Sequence, residues 1–170
     1  MSETFYLSLG SNVGDRVQNL REAVAKIREI GDVVAVSSLY ETEPVEFTEQ
    51  SWFLNCAVAL TTGLAPEELM AGLLEIEREM GRERTVKKGP RTIDIDIVLF
   101  GDRIIETSEL TVPHPAMHHR RFVLEPLVEI AAEARHPLLR KNVRELLLKL
   151  PVGDALVNRF ESAEWNERQV

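Results

Sequence analysis

The 170-residue sequence has a single cysteine, few aromatic residues and no apolar run of membrane-spanning length. Each shortage excludes something. Cys56 cannot close an internal disulfide by itself, so a reducing compartment is the simpler expectation. Without roughly 20 consecutive apolar residues, no helix is expected to cross a bilayer. The first residues, Met1, Ser2, Glu3 and Thr4, enter an apolar segment directly. They lack the basic flank and long apolar stretch of a secretion signal, so a cytoplasmic location is expected. Neither G-x-x-x-x-G-K-[S/T] nor G-x-G-x-x-G occurs, which removes the P-loop and protein-kinase routes to nucleotide binding. Internal repeats and low-complexity stretches are missing as well.

Positive charge is the next shortage. Twenty Lys and Arg stand against 28 Asp and Glu, a formal net charge of −8. Phosphate backbones need a basic surface, so a nucleic-acid partner is not expected, nor is a membrane one. The basic residues are unevenly spread, however. Residues 82–91 hold Arg82, Arg84, Lys87, Lys88 and Arg91 against one acid, Glu83. An acidic protein with one basic loop suits small anionic molecules better than a polymer. A monomer is the favoured expectation for its oligomeric state.

What is present reads as one soluble globular domain over residues 1–150, followed by a polar, weakly periodic tail, 151–170, expected on the surface. Residues 4–9 read as a strand. Val17, Leu20, Val24 and Ile27 recur at helical spacing from near Asp15, with Gly31 placed as a C-terminal cap. Residues 33–39 form a β-branched strand, 41–51 a long loop containing Pro44, and 52–61 a third strand. A helix starts at Pro66 and ends at Gly81, and 92–100 form a fourth strand. The order β-α-β-β-α-β predicts a ferredoxin-like α+β fold, an antiparallel sheet with helices on one face. A C-terminal hairpin near Ile104 and Ile105 and short helices near 119–127 and 142–150 complete it.

The chemistry concentrates on the fourth strand. Thr92-Ile93-Asp94-Ile95-Asp96-Ile97 alternates strictly, so Ile93, Ile95, Ile97 and Leu99 are expected on one face and Asp94 and Asp96 on the other. Same-face neighbours two apart lie about 7 Å from each other, close enough to share or bracket hard cations. A solvated sheet face would produce the same alternation. Against it, Asp is depleted in strands, and two on one face repel unless positive charge lies between them. The arginines of 82–91 and a magnesium ion would provide that charge, which is the arrangement Mg-nucleotide chemistry requires. His114, within Val112-Pro113-His114-Pro115, fits a structural histidine as well as a ligand. Phe53, Phe122 and Trp52 read as core by default. Asn55 shares a strand face with Phe53, and a buried amide there needs partners that a flat heterocycle would supply. These residue types alone also fit a kinase that moves a single phosphoryl group, or a ferredoxin-like binding domain without catalysis.

Five separated segments resemble one family. Leu9-Gly10-Ser11-Asn12, Ser37-Ser38-Leu39-Tyr40-Glu41-Thr42, Phe53-Leu54-Asn55, Gly89-Pro90-Arg91-Thr92-Ile93-Asp94-Ile95-Asp96 and Val112-Pro113-His114-Pro115 resemble, in order and spacing, the 6-hydroxymethyl-7,8-dihydropterin pyrophosphokinases. The likeness runs from about Tyr6 to about Ile130. It implies transfer of pyrophosphate from ATP to the pterin hydroxymethyl group, with release of AMP, in folate biosynthesis. It implies two magnesium ions on Asp94 and Asp96, and charge stabilisation on the transferred group by Arg82 and Arg91. Glu77, Arg84, Ile97, Thr111, His114 and Arg120 would surround the nucleotide. The reduced pterin would stack between Phe53 and Phe122 and bond to Asn55, Thr42 and Val45. Attack at the β-phosphorus rests on the likeness alone.

Overall fold

The computed structural model describes residues 3–43, 51–81, 92–152 and 157–165. Its elements are β1 (Thr4–Ser11), α1 (Arg16–Ile27), β2 (Asp32–Val36), β3 (Leu39–Thr42), β4 (Phe53–Thr61), α2 (Pro66–Glu79) and β5 (Asp94–Phe100). These are followed by β6 (Ile105–Glu106), β7 (Thr111–Val112), α3 (Arg121–Ala131), β8 (Arg135–His136), β9 (Lys141–Asn142), α4 (Val143–Leu148) and β10 (Val157–Phe160). The main sheet runs β10-β3-β4-β1-β5, with β2 also on β4, and every described pairing is antiparallel. That order around β4, β1 and β5 is the ferredoxin-like arrangement expected from the element sequence.

Local chemistry accounts for the element ends. Asp15 caps α1 by accepting from the Gln18 N–H at 3.1 Å. Pro66 opens α2, and Glu68 reaches back to the Ala65 N–H at 2.9 Å. Gly81 ends that helix at φ 85°, a conformation that costs glycine least. Asn142 and Glu145 cap α4 reciprocally, as their spacing predicts. Gly31 differs from expectation. It is not left-handed; a Cβ there would lie 2.8 Å from the Thr61 carbonyl oxygen, so close backbone approach demands the glycine.

Two apolar cores sandwich the sheet. On one face, Leu7 and Leu9 of β1, Leu54 and Val58 of β4, and Ile95 and Ile97 of β5 pack against α1 and α2. On the other, Ala57, Val98 and Leu99 pack against Val123, Leu124 and Leu127 of α3 and Leu146 of α4. Each fully buried aliphatic side chain contributes roughly 1.5–3 kcal/mol by leaving water.

Three expectations change here. The register between β1 and β5 shifts at Val98, so Leu99 joins the α3 core instead of sharing the face of Ile95 and Ile97. The second strand is split: Ser37 interrupts it, its N–H donating to the Ala57 carbonyl (2.9 Å) while its hydroxyl accepts from the Ala57 N–H (2.8 Å). The tail does more than cover the surface. β10 adds an edge strand to β3, and Trp165, 8% exposed, enters the first core and donates its indole N–H to Ser37 O at 3.0 Å.

Candidate functional site

Strand pairing alone brings the sequence-expected residues together. Asn55 of β4 pairs with Gly10 of β1, and Gly10 pairs with Asp94 of β5; one step along, Ala57, Ser8 and Asp96 form the next row. Paired residues share a face, so Asn55, Asp94 and Asp96 lie on the α3 side of the sheet, the side opposite α1 and α2. Two strand spacings separate Asn55 from Asp94, about 10 Å in all. Thr42 and Phe53, a cross-strand pair, extend the same face beyond Asn55.

The Asn55 amide is 4% exposed and held from both ends. The Thr42 hydroxyl donates to its Oδ1 at 2.6 Å, and its Nδ2 donates to Leu9 O at 3.3 Å. One amide hydrogen and one lone pair of Oδ1 are left by this arrangement, in a fixed orientation. Gly10 makes the close fit possible. A Cβ at this position would lie 2.7 Å from Asn55 Nδ2 and 3.5 Å from the Phe53 ring. Gly10 was not among the expected site residues, because its motif reads as the end of a strand. The available signal was a glycine inside a strand pattern, which marks close approach of a neighbour.

Asp94 and Asp96 are half-buried at the start of β5, an edge strand among the described residues. Glu77, at the end of α2 and 2% exposed, accepts from the Ile95 N–H at 3.2 Å and so braces the strand between the two aspartates. Among the described residues, no group of three or more His, Cys, Asp and Glu side chains converges into a metal cage. A pair of carboxylates on one strand fits magnesium, which keeps substrate phosphates and waters in its shell. Such a pair fits a structural zinc site poorly. Ile97 turns its side chain into the first core, so what it can offer a nucleotide is main chain.

The segment after β7 returns to β5, where the His114 N–H donates to Val98 O at 3.0 Å, at the register shift. The Val112–Pro113 peptide is cis. His114 Nδ1 accepts from the Ala116 N–H at 3.1 Å, which leaves the ring proton on Nε2 in the neutral form. Burial, assisted by the Arg120 charge and opposed by Asp94, pushes its pKa down to about 4. The imidazole is therefore a neutral donor at physiological pH, beside both Arg120 and Asp94. Arg120 in turn lies 5.6 Å over the Phe122 ring at the start of α3. Thr111 is exposed on β7. Arg82, Arg84, Arg91 and Val45 lie outside the described residues.

The Ser37–Thr42 motif has a supporting role. Glu129 of α3 accepts from the Ser38 N–H (2.8 Å), the Ser38 hydroxyl (3.1 Å) and the Tyr40 hydroxyl (2.8 Å). Burial and this carboxylate push the Tyr40 hydroxyl pKa up. The network ties α3, which bears Phe122, to β3, which bears Thr42.

A family profile described as 7,8-dihydro-6-hydroxymethylpterin-pyrophosphokinase matches residues 6–132. The chain is 50% identical over 135 residues to the 2-amino-4-hydroxy-6-hydroxymethyldihydropteridine pyrophosphokinase of Bacillus subtilis, covering 78% of this chain and 81% of that one. It is 42% identical over 142 residues to the enzyme of the same name from Aquifex aeolicus, covering 84% and 89%. Among solved structures, the wild-type Plasmodium falciparum HPPK-DHPS with pteroate superposes with a TM-score of 0.71 over 88% of this chain, at 19% identity. The chain spans 42% of that longer protein, and the likeness shows a shared fold.

Proposed function

The chain belongs to the 7,8-dihydro-6-hydroxymethylpterin-pyrophosphokinase family, and we infer that it transfers pyrophosphate from ATP to the hydroxymethyl group of 6-hydroxymethyl-7,8-dihydropterin in folate biosynthesis, releasing AMP. One observation carries the reading to particular residues. The oriented Asn55 amide and the Asp94–Asp96 pair occupy one sheet face, two strands apart. That separation, about 10 Å, lets a bicyclic acceptor lie on Asn55 with its hydroxymethyl arm pointing at a triphosphate held near the aspartates.

Asp94 and Asp96 would hold two magnesium ions brought with ATP. When bound, the metal supplies charge neutralisation along the triphosphate. The chain's own residues do the rest by placement. Asn55, oriented by Thr42, reads the heterocycle edge, and Phe53 and Phe122 offer ring faces for stacking. Neutral His114 donates its Nε2–H to a phosphate oxygen, and Arg120 adds charge beside it. Arg82 and Arg91 are assigned to charge developing on the transferred group, and Arg84, Glu77, Ile97 and Thr111 to the nucleotide surroundings; Val45 joins the acceptor site. A dedicated base is not required, because positioning and charge neutralisation carry most phosphoryl-type transfers.

We further propose that the chain acts on small molecules as a cytoplasmic monomer. Among the described residues no helix is long and apolar enough to cross a membrane. The test is incubation with Mg-ATP and the reduced hydroxymethylpterin, followed by product analysis. AMP with pyrophosphorylated pterin is expected. ADP with a singly phosphorylated pterin would overturn the pyrophosphoryl assignment.

A further inference from the structure

Arg16 opens α1 on the opposite side of the sheet from the substrate face and takes no part in the site described above. Its Nη1 donates to Trp52 O at 2.9 Å, and its Nη2 pairs with Glu41 at 2.8 Å. The same guanidinium lies 5.5 Å over the ring of Phe160 on β10. Glu41 immediately precedes Thr42 at the end of β3, and Trp52 immediately precedes Phe53 at the start of β4. One side chain thus joins the two chain positions next to the residues that frame Asn55. Glu41 pairs across the sheet with Leu54, a residue of the first core, so the contact is made from behind the substrate face.

An isolated surface ion pair contributes little, and Arg16–Glu41 alone would be of that kind. Three further features set it apart. The second fork of the guanidinium holds a main-chain carbonyl 36 residues away. The guanidinium also lies over the Phe160 ring, and a lysine ammonium cannot reproduce the fork and that ring contact together. A second tie lies alongside, where Asn12 Nδ2 donates to Ser51 O at 3.0 Å.

We propose that Arg16 is a positioning residue for the acceptor site. It sets the separation of the β3 and β4 ends, and through them the placement of Thr42 and Phe53 around Asn55, without touching either substrate. The proposal rests on the pterin reading of that face. The nucleotide side of the site is built on β5 and the segment after β7, which Arg16 does not reach, so the effect is selective for the acceptor.

The test is steady-state kinetics of Arg16→Met, Arg16→Lys and Glu41→Gln in the full chain, with each substrate varied in turn, beside thermal melting. Arg16→Met is expected to raise KM for the hydroxymethylpterin about tenfold, the effect of losing one charge-assisted hydrogen bond, and to leave KM for ATP within about twofold. Arg16→Lys restores part of the acceptor KM, since it keeps the Glu41 pair and loses the fork. Equal rises in both KM values, or a lowered melting temperature with both KM values unchanged, would overturn the proposal and leave Arg16 a structural residue. Should Arg16→Met fail to fold, Glu41→Gln must show the same split to a smaller degree; an unchanged acceptor KM in Glu41→Gln and Arg16→Lys overturns it equally. The wild-type products decide the underlying reading separately, because a chain that does not convert the pterin fails before any variant is compared.

Discussion

Adding one methyl group at Gly10 tests the acceptor site most directly. In Gly10→Ala the new Cβ would stand 2.7 Å from Asn55 Nδ2, closer than such atoms approach, and within 3.5 Å of the Phe53 ring. Gly10 does not need a left-handed backbone, so the cost is steric. The amide can yield only by loosening its bonds to Thr42 Oγ1, now 2.6 Å, and Leu9 O, now 3.3 Å. At about 1 kcal/mol for each hydrogen bond, with overpacking of 1–3 kcal/mol in the alternative case, the loss is roughly 2 kcal/mol. For a chain of this size that corresponds to a melting temperature lower by about 4–8 °C. The same displacement removes the oriented amide from the acceptor, so pterin affinity should fall by roughly 10- to 100-fold. ATP affinity should hold, because Asp94, Asp96 and His114 are carried by β5 and the segment after β7. Equilibrium titration of each ligand, read beside a melting curve, separates these outcomes. Unchanged pterin affinity, or an equal loss for ATP, would refute the placement of the acceptor on Asn55.

Further outcomes follow from the same geometry. Asp94→Asn and Asp96→Asn should each abolish turnover while the melting curve stays near wild type; undiminished activity in both removes the magnesium assignment. His114, with a folded pKa pushed down to about 4 against an ordinary value of 6.5, binds fewer protons folded than unfolded between those limits. Its contribution to stability is therefore complete above pH 6.5 and is lost as pH falls toward 4. Nitrogen NMR of the ring should report the Nε2–H tautomer down to about pH 5, and a charged imidazolium at pH 6 would contradict this. Trp165→Ala should cost about 3–5 kcal/mol, lowering the melting temperature by roughly 10 °C, because it empties a core site and orphans Ser37 O. A melting temperature within a degree of wild type would mean that the tail is dispensable.

Much of the site is readable without coordinates because it rests on local periodicity. Alternation along residues 92–97 is enough to put Asp94 and Asp96 on one face, and β5 keeps that alternation up to Ile97. The same rule fails two residues later. Nothing in Val98 or Leu99 announces the register shift against Tyr6 and Leu7, which exists only in the pairing of β5 with β1, a strand far away in the sequence. Asn55 is legible as a buried amide, whereas its orientation depends on Thr42, 13 residues away and brought close by strand pairing. The tail misleads for a related reason. Its composition is polar, yet one indole and four strand residues suffice to dock it, and composition averages such anchors away.

The broad succession of strands and helices, the ends of α2 and α4, the carboxylate pair and the kinship of the chain were legible in the residues alone, since each depends on near neighbours or on the identity of short segments; the cap expected at Gly31 was not. Tertiary structure alone decided which residues meet across strands. It set Gly10 between Asn55 and Asp94, lodged Trp165 in the core, lowered the His114 pKa and joined Arg16 to both Glu41 and Trp52. The physical reason is common to all four. Each depends on a distance or a burial created when far-apart segments pack, and neither quantity is written in the spacing of residues along the chain.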